Sequence, residues 1–334
     1  MEKQKRFIGW GITEKCNLTC PHCYSAATKT APSELSTDEC RKIVEQLARA
    51  DVEYIGWTGG EPLLRKDLEE LITCAGKAGI KSSITTNGVL LTQKRADAIR
   101  EAGVEAIQIS LDGSTVERNK AMRLATAKQF ESVIKSIGFC HDNSISVHMA
   151  MLLGQENLDD ARNFVQLAES LGVSSVRFCA YVPWGGGKSP NVQKRLGFTE
   201  RLCDLKHIVE DLQDNDSTTV MFDPGFGPLP SDYFFHKCIS GVQTFYVGST
   251  GDVYPCTALL DDQFKVGNLR KRTIQQLLDD PKMTRISDYD RSQIDGHCSD
   301  CRHHSVCRGA CRGITYAHTG DLDASFPTCL SRVE

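Results

Sequence analysis

The sequence lacks any apolar stretch long enough for a signal peptide or a membrane-spanning helix. The charged segment 1–5 is followed by only a short apolar run before Thr13 and Glu14. An excess of positive charge is also missing, since 39 Lys and Arg residues face 43 Asp and Glu and the net charge is −4. These absences argue against binding to nucleic acid or to a membrane. We therefore expect a cytoplasmic protein.

Cysteine, in contrast, is abundant, with 15 residues in a chain of 334. Without an export signal these thiols are expected in a reducing compartment, where clustered cysteines bind metals more often than they form disulfides. The length and the 40% hydrophobic content suit two domains with a large core. The positions of the cysteines therefore indicate where a metal cofactor binds.

Three cysteines lie in one short segment, Cys16-Asn17-Leu18-Thr19-Cys20-Pro21-His22-Cys23. Thiolates at this spacing can hold three corners of a four-iron cluster and leave the fourth iron without a protein ligand. An open metal position of this kind is where substrate enters in catalytic zinc sites. A zinc-binding loop or a redox-active cysteine pair is the alternative interpretation.

Hydrophobic periodicity predicts short strands that alternate with helices over the first half of the chain. The predicted strands are 7–13, 52–57, 82–86, 106–111, 145–153 and 173–182; the predicted helices follow a capping box at 36–39 and then cover 67–79, 92–102, 127–140 and 158–171. Such alternation indicates a parallel sheet, and six strands are two short of a complete (β/α)8 barrel. We therefore predict an α/β fold with a partial (β/α)6 TIM-like barrel, in which Cys40, Cys74 and Cys140 pack on helix faces.

Several polar motifs follow directly after these predicted strands. They are the cysteine segment, Gly59-Gly60-Glu61-Pro62, Asn87-Gly88, Ser110 and Asp112. Because the C-terminal strand ends carry the chemistry of parallel α/β folds, the motifs should meet on one rim of the barrel.

The alternation ends after residue 182, and the composition then changes. The glycine-rich segment 183–188 is predicted to be a mobile loop over the site; no Lys-Ser/Thr and helix follow it, so a phosphate-binding loop is less consistent. Residues 199–213 have helical spacing, whereas the chain from Asp223 onward is rich in Gly, Pro and Cys. We predict a barrel at 1–185, a helical connector at 186–230, and a small domain at 231–334 that metal rather than a hydrophobic core holds together.

The C-terminal third of the chain contains seven cysteines: Cys238, Cys256, Cys298, Cys301, Cys307, Cys311 and Cys329. The four from Cys298 to Cys311 could form a single zinc or iron–sulfur site. Three would then be left over, including Cys256 at the end of a predicted hairpin whose turn is 249–252. Two clusters therefore explain seven cysteines better than one.

These motifs together resemble the radical S-adenosylmethionine (SAM) enzymes that carry a C-terminal SPASM extension. The resemblance implies a first cluster at Cys16, Cys20 and Cys23, whose open iron binds the amino and carboxylate groups of SAM. It places Gly59, Gly60 and Glu61 beside the methionine amino group, for which carbonyl and carboxylate groups are natural acceptors. It also places Asn87, Ser110 and Asp112 near the ribose or the methionine carboxylate, although Asn-Gly and Asp-Gly are ordinary turns as well. Arg123 would pair with that carboxylate or remain in solvent.

The resemblance further implies how the remaining cysteines divide between two auxiliary clusters. The first auxiliary cluster would be held by Cys238, Cys256 and Cys311, and the second by Cys298, Cys301, Cys307 and Cys329. Some relatives have one more cysteine shortly before the residue that matches Cys238, but 229–237 contains none. The fourth position of the first auxiliary cluster would then be open, or filled by His236, Asp232 or Cys203.

The activity that the resemblance implies is reductive cleavage of SAM to a 5′-deoxyadenosyl radical, with reduced flavodoxin or ferredoxin as electron donor. That radical takes a hydrogen atom from a substrate carbon, and auxiliary clusters suit a subsequent oxidation such as dehydrogenation, decarboxylation or cross-linking. Epimerisation would need a hydrogen donor, for which Cys179 is the candidate; a small core residue is the alternative. Tyr181 and Trp184 would line the substrate pocket or only pack.

The substrate is the least determined part of this prediction. Only fifteen residues precede Cys16, so no leader-recognition domain is expected there, which favours a small molecule such as a sugar, nucleoside or tetrapyrrole. A peptide presented by a separate leader-binding partner is the alternative. A non-catalytic electron-transfer iron–sulfur protein and a zinc-stabilised binding module are the alternatives from other classes.

Overall fold

Strands that follow one another in the chain form most of one large sheet in the computed structural model, which describes residues 5–25, 33–198, 200–213, 215, 217–227 and 238–333. The strands are β1 (Arg6–Thr13), β2 (Val52–Gly59), β3 (Lys81–Thr86), β4 (Val104–Ser110), β5 (Ser146–Leu153), β6 (Ser175–Ala180), β7 (Thr219–Phe222), β8 (Thr244–Val247), β9 (Asp252–Tyr254) and β10 (Gly267–Asn268). Their order across the sheet is β10-β9-β8-β1-β2-β3-β4-β5-β6-β7. All neighbours from β8 through β1 to β7 are parallel, whereas β9 and β10 are antiparallel additions.

Helices connect the parallel strands of the barrel, and shorter helices follow in the C-terminal region. They are α1 (Thr37–Arg49), α2 (Leu68–Lys77), α3 (Gln93–Glu101), α4 (Val116–Arg123), α5 (Ala127–Asp142), α6 (Ala161–Ser170), α7 (Pro190–Leu196), α8 (Leu202–Gln213), α9 (Ile274–Leu278), α10 (Pro281–Thr284), α11 (His304–Cys307) and α12 (Arg312–Thr319). The predicted capping box starts α1, where the Glu39 amide donates to Ser36 Oγ and the Ser36 amide donates to the Glu39 carboxylate. The first six strands and their helices form the expected partial barrel, which confirms the fold class.

The core lies between the sheet and these helices. Trp10 on β1 and Trp57 on β2 are fully buried and stack with their ring centroids 5.3 Å apart. Cys40 and Cys140 are buried in this core and Cys74 packs against it, as predicted. Because side chains alternate along a strand, the residues between the outward-facing core positions point into the barrel interior and are available for a site.

Four features differ from the sequence-based expectations. Helix α4 and strand β7 were not predicted, and β7 lies inside the predicted helical connector. The segment predicted as a mobile loop contains a 3₁₀ helix at Gly185–Lys188, and the Gly186 amide donates to the Cys23 carbonyl at 3.0 Å. The C-terminal region also does not depend on metal alone, because Phe245, Val253 and other apolar side chains of that region extend the main hydrophobic core.

Pairing between β8 and β1 makes the C-terminal region continuous with the barrel sheet. Phe7 to Trp10 of β1 lie opposite Thr244 to Val247 of β8. The boundaries 1–185, 186–230 and 231–334 therefore remain predictions, since one sheet passes through them. Within the described residues, no helix has the length and apolarity required to cross a bilayer.

Candidate functional site

The three N-terminal cysteines lie where β1 ends, on the wall of a cavity of 480 Å³ inside the barrel. Their sulfurs are free, and the Leu18 amide donates to Cys16 Sγ at 3.4 Å. The Asn87 side chain reaches the same loop, with its amide nitrogen 2.8 Å from Asn17 Oδ1. The loop is therefore held from β3 as well as from β1, and its thiols face the cavity.

Backbone amides point at sulfurs in the C-terminal region too. The amides of Ala258, His303 and Phe326 each lie 3.4 Å from the sulfur of Cys256, Cys301 and Cys298 respectively. Such N–H groups stabilise thiolates, and hydrogen bonds to sulfur are a normal feature of iron–sulfur sites. These cysteines consequently fit cluster ligands. In the part of the chain that the structure describes, no three His, Cys, Asp or Glu side chains are arranged around a single-ion site.

Gly59 and Gly60 bring the end of β2 against the cysteine loop. The Gly60 amide donates to the Thr13 carbonyl and the Glu61 amide to the Lys15 carbonyl, both at 2.7 Å. A Cβ at Gly60 would lie 2.2 Å from the Lys15 oxygen, and Gly59 has φ +135°. Only glycine permits this approach without displacement of the backbone, and both glycines line the cavity.

Glu61, in contrast, faces the protein interior. Its buried carboxylate accepts hydrogen bonds from Thr86 Oγ1 at 2.7 Å, the Asn87 amide at 2.8 Å and the Leu63 amide at 3.1 Å. Burial raises the pKa of this carboxyl, although these donors oppose the effect. Glu61 does not line the cavity in this structure, and its contact with the methionine amino group stays a prediction. Its carboxylate instead fixes the turn that carries Asn87.

Asp112 is likewise fully buried and does not line the cavity, so its place near the ribose or the methionine carboxylate stays a prediction. Its Oδ2 lies 2.8 Å from Arg123 Nε and 3.1 Å from His22 Nε2, and its Oδ1 accepts from the Leu152 amide at 2.7 Å. Burial raises the pKa of Asp112, but Arg123 and His22 outweigh it and hold the pKa at about 2. Asp112 thus anchors a cation beside the cysteine loop.

Arg123 does line the cavity, together with Asn87 and Ser110. Its side chain is largely buried, so the alternative of an arginine in free solvent is wrong. Although burial lowers the pKa of Arg123, the negative charge of Asp112 raises it overall, so the guanidinium stays protonated. Arg123 is a fixed cation that an anionic ligand group in the cavity can reach.

The wall on the β6 side carries a second group of reactive side chains. Cys179 and Arg177 lie on the inner face of β6, because Val176, Phe178 and Ala180 alternate with them into the core. Arg177 Nη2 lies 2.6 Å from an oxygen of Asp223, which follows β7. The expectations from the sequence included Cys179 but missed Arg177 and Asp223.

A signal for Arg177 was present in the alternation along β6, whereas nothing local indicated Asp223, since β7 was not predicted. His22 was also missed as a partner of Asp112. Tyr181 lines the cavity, whereas Trp184 does not and packs with its indole nitrogen 2.9 Å from the Ala258 carbonyl.

The C-terminal cysteines form two neighbouring groups. Burial, and then the proximity of Cys311 and Cys238, raises the pKa of Cys256 to about 12. Burial raises the pKa of Cys307 to about 11, with Cys329 and Cys298 as further contributors. The first group thus contains Cys238, Cys256 and Cys311 and the second contains Cys298, Cys307 and Cys329, while their assignment to two clusters, with Cys301 in the second, stays a prediction.

The cavity wall includes Cys256 and Cys311 in addition to the three N-terminal cysteines. Cys203 is exposed on α8 and is not part of that wall. His236 and Asp232, the other residues considered as a fourth ligand, lie outside the described residues. The structure therefore brings thiols from both ends of the chain to one cavity.

The partial barrel, the cysteines around one cavity and the amides directed at sulfur fit an iron–sulfur protein. Residues 10–168 match the Radical SAM superfamily and residues 238–302 match the SPASM iron–sulfur cluster-binding domain. The chain belongs to the radical SAM superfamily and has a C-terminal SPASM domain. It uses SAM and iron–sulfur clusters as its cofactors.

Relatives with this architecture match almost the whole chain. An AdoMet-dependent heme synthase of Oleidesulfovibrio alaskensis is 28% identical over 97% of this chain and 87% of its own length. A mycofactocin maturase of Mycobacterium tuberculosis is 29% identical over 97% of this chain and 82% of its own length. These relatives support an enzyme, but their names point to different substrates.

Solved structures show the same fold at lower sequence identity. Native anSMEcpe with bound AdoMet and Kp18Cys peptide has a TM-score of 0.78 at 17% identity, over 98% of this chain and 94% of that one. Streptococcus suis SuiB bound to S-adenosylmethionine has a TM-score of 0.73 at 16% identity, over 96% of this chain and 76% of that one.

Proposed function

We propose that this enzyme removes a hydrogen atom from a carbon of a small-molecule substrate and then oxidises the substrate radical through the first auxiliary cluster. The proposal rests on one observation: Cys16, Cys20 and Cys23 line the same cavity as Cys256 and Cys311. A substrate bound there is adjacent both to the site that generates a radical and to a site that can accept its electron.

The chain's own residues have distinct tasks in this proposal. When bound and reduced, the N-terminal cluster and SAM supply a 5′-deoxyadenosyl radical. Gly59 and Gly60 let backbone carbonyls approach the methionine amino group, and Arg123 pairs with the methionine carboxylate. Asp112 keeps Arg123 in place, and the barrel wall keeps water away from the reacting carbon.

The dimensions and charges of the cavity favour a small anionic substrate. A volume of 480 Å³ lies within the usual range of about 300–1,000 Å³ for a pocket that holds one drug-sized ligand. SAM takes part of that space, so only a small molecule, or one group of a larger substrate, can reach the reacting position. Arg177 exposes 47% of its side chain and can pair with a substrate carboxylate while Asp223 holds its other edge.

The names of the relatives support two substrate classes. Heme synthases, together with an Fe-coproporphyrin III synthase of Methanosarcina barkeri that is 27% identical, support a small molecule, for which dehydrogenation or decarboxylation would be the outcome. The mycofactocin maturases support the alternative of a peptide presented by a separate leader-binding partner. In either case we propose reduced flavodoxin or ferredoxin as the electron donor.

Anaerobic reconstitution with iron and sulfide tests the proposal. Three four-iron clusters correspond to about twelve irons per chain, and reduction with dithionite should release 5′-deoxyadenosine from SAM. Cys20→Ala should abolish that release, whereas Cys256→Ala should retain it and lose substrate oxidation. An electron-transfer protein would give no 5′-deoxyadenosine from the native chain, and a zinc protein would be colourless after loading.

Cys179 supports a second candidate function, which is epimerisation. Burial, and then the negative charge of Asp223, raises the pKa of this cavity thiol, so it stays an S–H group at neutral pH. A protonated thiol can donate a hydrogen atom to a substrate radical, after which an auxiliary cluster must return one electron and solvent one proton. In deuterated water an epimerised product gains one deuterium at the reacting carbon, whereas an oxidised product gains none there and has lost two hydrogen atoms by dehydrogenation or one hydrogen atom and carbon dioxide by decarboxylation.

A further inference from the structure

Two arginines are buried among the C-terminal cysteines without a carboxylate partner. Arg312 is 1% exposed and Arg291 is 9% exposed. Among the described residues, no Asp or Glu oxygen forms an ion pair with either guanidinium. Because removal of a cation from water is costly unless an opposite charge compensates it, the site indicates an anion that the protein atoms alone do not supply.

Arg312 is held in position by backbone carbonyl groups. Its Nη1 donates to the Leu322 carbonyl at 3.0 Å and to the Ala324 carbonyl at 2.7 Å, and its Nη2 donates to the Gly309 carbonyl. Its buried Nε has no partner. The carbonyls orient the guanidinium, but they carry no net charge that could balance it.

Arg291 binds the same loop from another side. Its Nη1 lies 3.4 Å from the carbonyl oxygens of both Arg308 and Ala310. Arg308, Gly309 and Ala310 all have left-handed φ values, of 53°, 74° and 54°. In this turn the Ala310 amide donates to the Cys307 carbonyl at 3.1 Å, while the carbonyls of Arg308, Gly309 and Ala310 accept from the two arginines. The carbonyl groups of this loop, which joins Cys307 to Cys311, therefore all face buried cations.

The two guanidinium groups lie against the segment that joins Cys307 to Cys311. Cys307 and Cys311 are within electrostatic reach of both arginines, Cys238 is within reach of Arg291, and Cys298 is within reach of Arg312. By the implied division, Cys238 and Cys311 belong to the first auxiliary cluster and Cys298 and Cys307 to the second. The positive charge thus faces both auxiliary sites.

We propose that Arg291 and Arg312 are the built-in counter-charge of the two auxiliary clusters and raise their reduction potentials. A cluster held by thiolates is anionic, and its reduction adds another negative charge, which a nearby buried cation stabilises. Raised potentials make the auxiliary clusters better electron acceptors than the same clusters in a neutral surrounding. The inference goes beyond the proposed reaction and depends only on the assignment of the seven C-terminal cysteines to clusters.

The test compares removal of the charge with its retention. Arg291→Gln and Arg312→Gln remove the cation, Arg291→Lys and Arg312→Lys keep it, and Arg302→Gln is the matched control, because Arg302 is an exposed arginine beside Cys301. Each substitution is made in the full chain that also carries Cys16→Ala, Cys20→Ala and Cys23→Ala, so that only auxiliary clusters are loaded. Iron content and a redox titration followed by electron paramagnetic resonance are measured.

At a fixed applied potential, the ratio of reduced to oxidised auxiliary cluster should fall about tenfold or more in each Gln variant. A tenfold fall corresponds to a cluster reduction potential that is about 59 mV more negative. The Lys variants and Arg302→Gln should stay close to the native ratio. Loss of iron in a Gln variant but not in its Lys counterpart also supports the proposal, because it shows that the charge itself is required.

Unchanged potentials in fully loaded Gln variants would overturn the proposal. Equal loss of iron in Gln and Lys variants would overturn it as well, because the arginines would then act only through hydrogen-bond geometry. None of these readouts involves SAM cleavage or substrate, so a failure of the proposed function leaves them interpretable.

Discussion

Asp112→Asn is the substitution that most directly tests how the site is held together. Asparagine keeps the shape of the side chain but removes the charge that pairs with Arg123 and His22. Since Asp112 is 0% exposed, water cannot replace the lost partner. The buried Arg123 guanidinium would be left without its counter-ion, directly beside the cysteine loop.

The expected loss of stability follows from the pKa of Asp112. Holding that pKa at about 2 rather than at its ordinary value of 3.8 corresponds to about 2.4 kcal/mol at about 1.36 kcal/mol per pKa unit. Removal of one partner from a buried ion pair typically costs about 3–5 kcal/mol. We therefore expect Asp112→Asn to lower the free energy of unfolding by about 2–5 kcal/mol at neutral pH.

Because the folded-state pKa is depressed, this stabilisation is complete above the ordinary pKa and is lost as the pH falls from about 4 towards 2. The difference in the free energy of unfolding between the native chain and Asp112→Asn should become smaller over that pH range. Arg123 should also lose its fixed position, which raises the Kd for SAM.

Anaerobic urea unfolding at pH 7 measures the stability, and calorimetry measures SAM binding. Asp211→Asn is the matched control, since Asp211 pairs with Arg162 on the surface, where both side chains are about half exposed. An exposed pair contributes about 0–1 kcal/mol. If Asp112→Asn destabilised the chain no more than Asp211→Asn does, the argument for Asp112 as the anchor of the site would be refuted.

Three further predictions concern other parts of the site. Gly60→Ala should destabilise the chain by about 1–3 kcal/mol through overpacking and should weaken SAM binding, because the new Cβ would meet the Lys15 carbonyl. Gly76→Ala is the control: this glycine lies on an open helix face, so its substitution should be neutral or stabilising in the same unfolding assay. Cys256→Ala should lower the iron content by about four per chain, while exposed Cys203→Ala leaves it unchanged; equal iron in both variants would contradict the cluster assignment. In the cluster-free chain, alkylation of Cys179 should be slow at neutral pH and should accelerate only above pH 9, because the pKa of this thiol is raised. The exposed Cys203 should react readily at neutral pH. Fast alkylation of Cys179 at neutral pH would exclude it as a protonated thiol.

Much of the barrel could be predicted because its signals are local. Strands β1 to β6 agree with the predictions to within a few residues, since each is a short segment with apolar residues in a run or in alternation and lies before or between predicted helices. Helix α4 was missed because it buries only Asn119 and Met122 and has little apolar periodicity. Strand β7 was missed because it has only four residues, two of which are buried.

The site could be predicted as a set of positions, but not as a set of contacts. Asn87, Ser110 and Arg123 line the cavity, whereas Glu61 and Asp112 face inward, although all five lie at strand ends or in the connections that follow them. Side-chain direction was decided by partners distant in the chain, such as Thr86 for Glu61 and His22 for Asp112. A buried carboxylate needs hydrogen-bond or charged partners to offset its desolvation, and no local pattern encodes those partners.

The sequence by itself determined the chemistry of this protein, because cysteine spacing along a short loop decides which thiols can share one cluster. Only the tertiary structure decided which of these cysteines line the same cavity. Pairing of β8 with β1 brings Cys256 into the cavity of Cys16, some 240 residues earlier in the chain, and the burial of Arg291 and Arg312 places positive charge near cysteines that the chain order keeps apart. Both results depend on sheet pairing and core packing between segments that are far apart in the chain, and no local sequence pattern predicts such contacts.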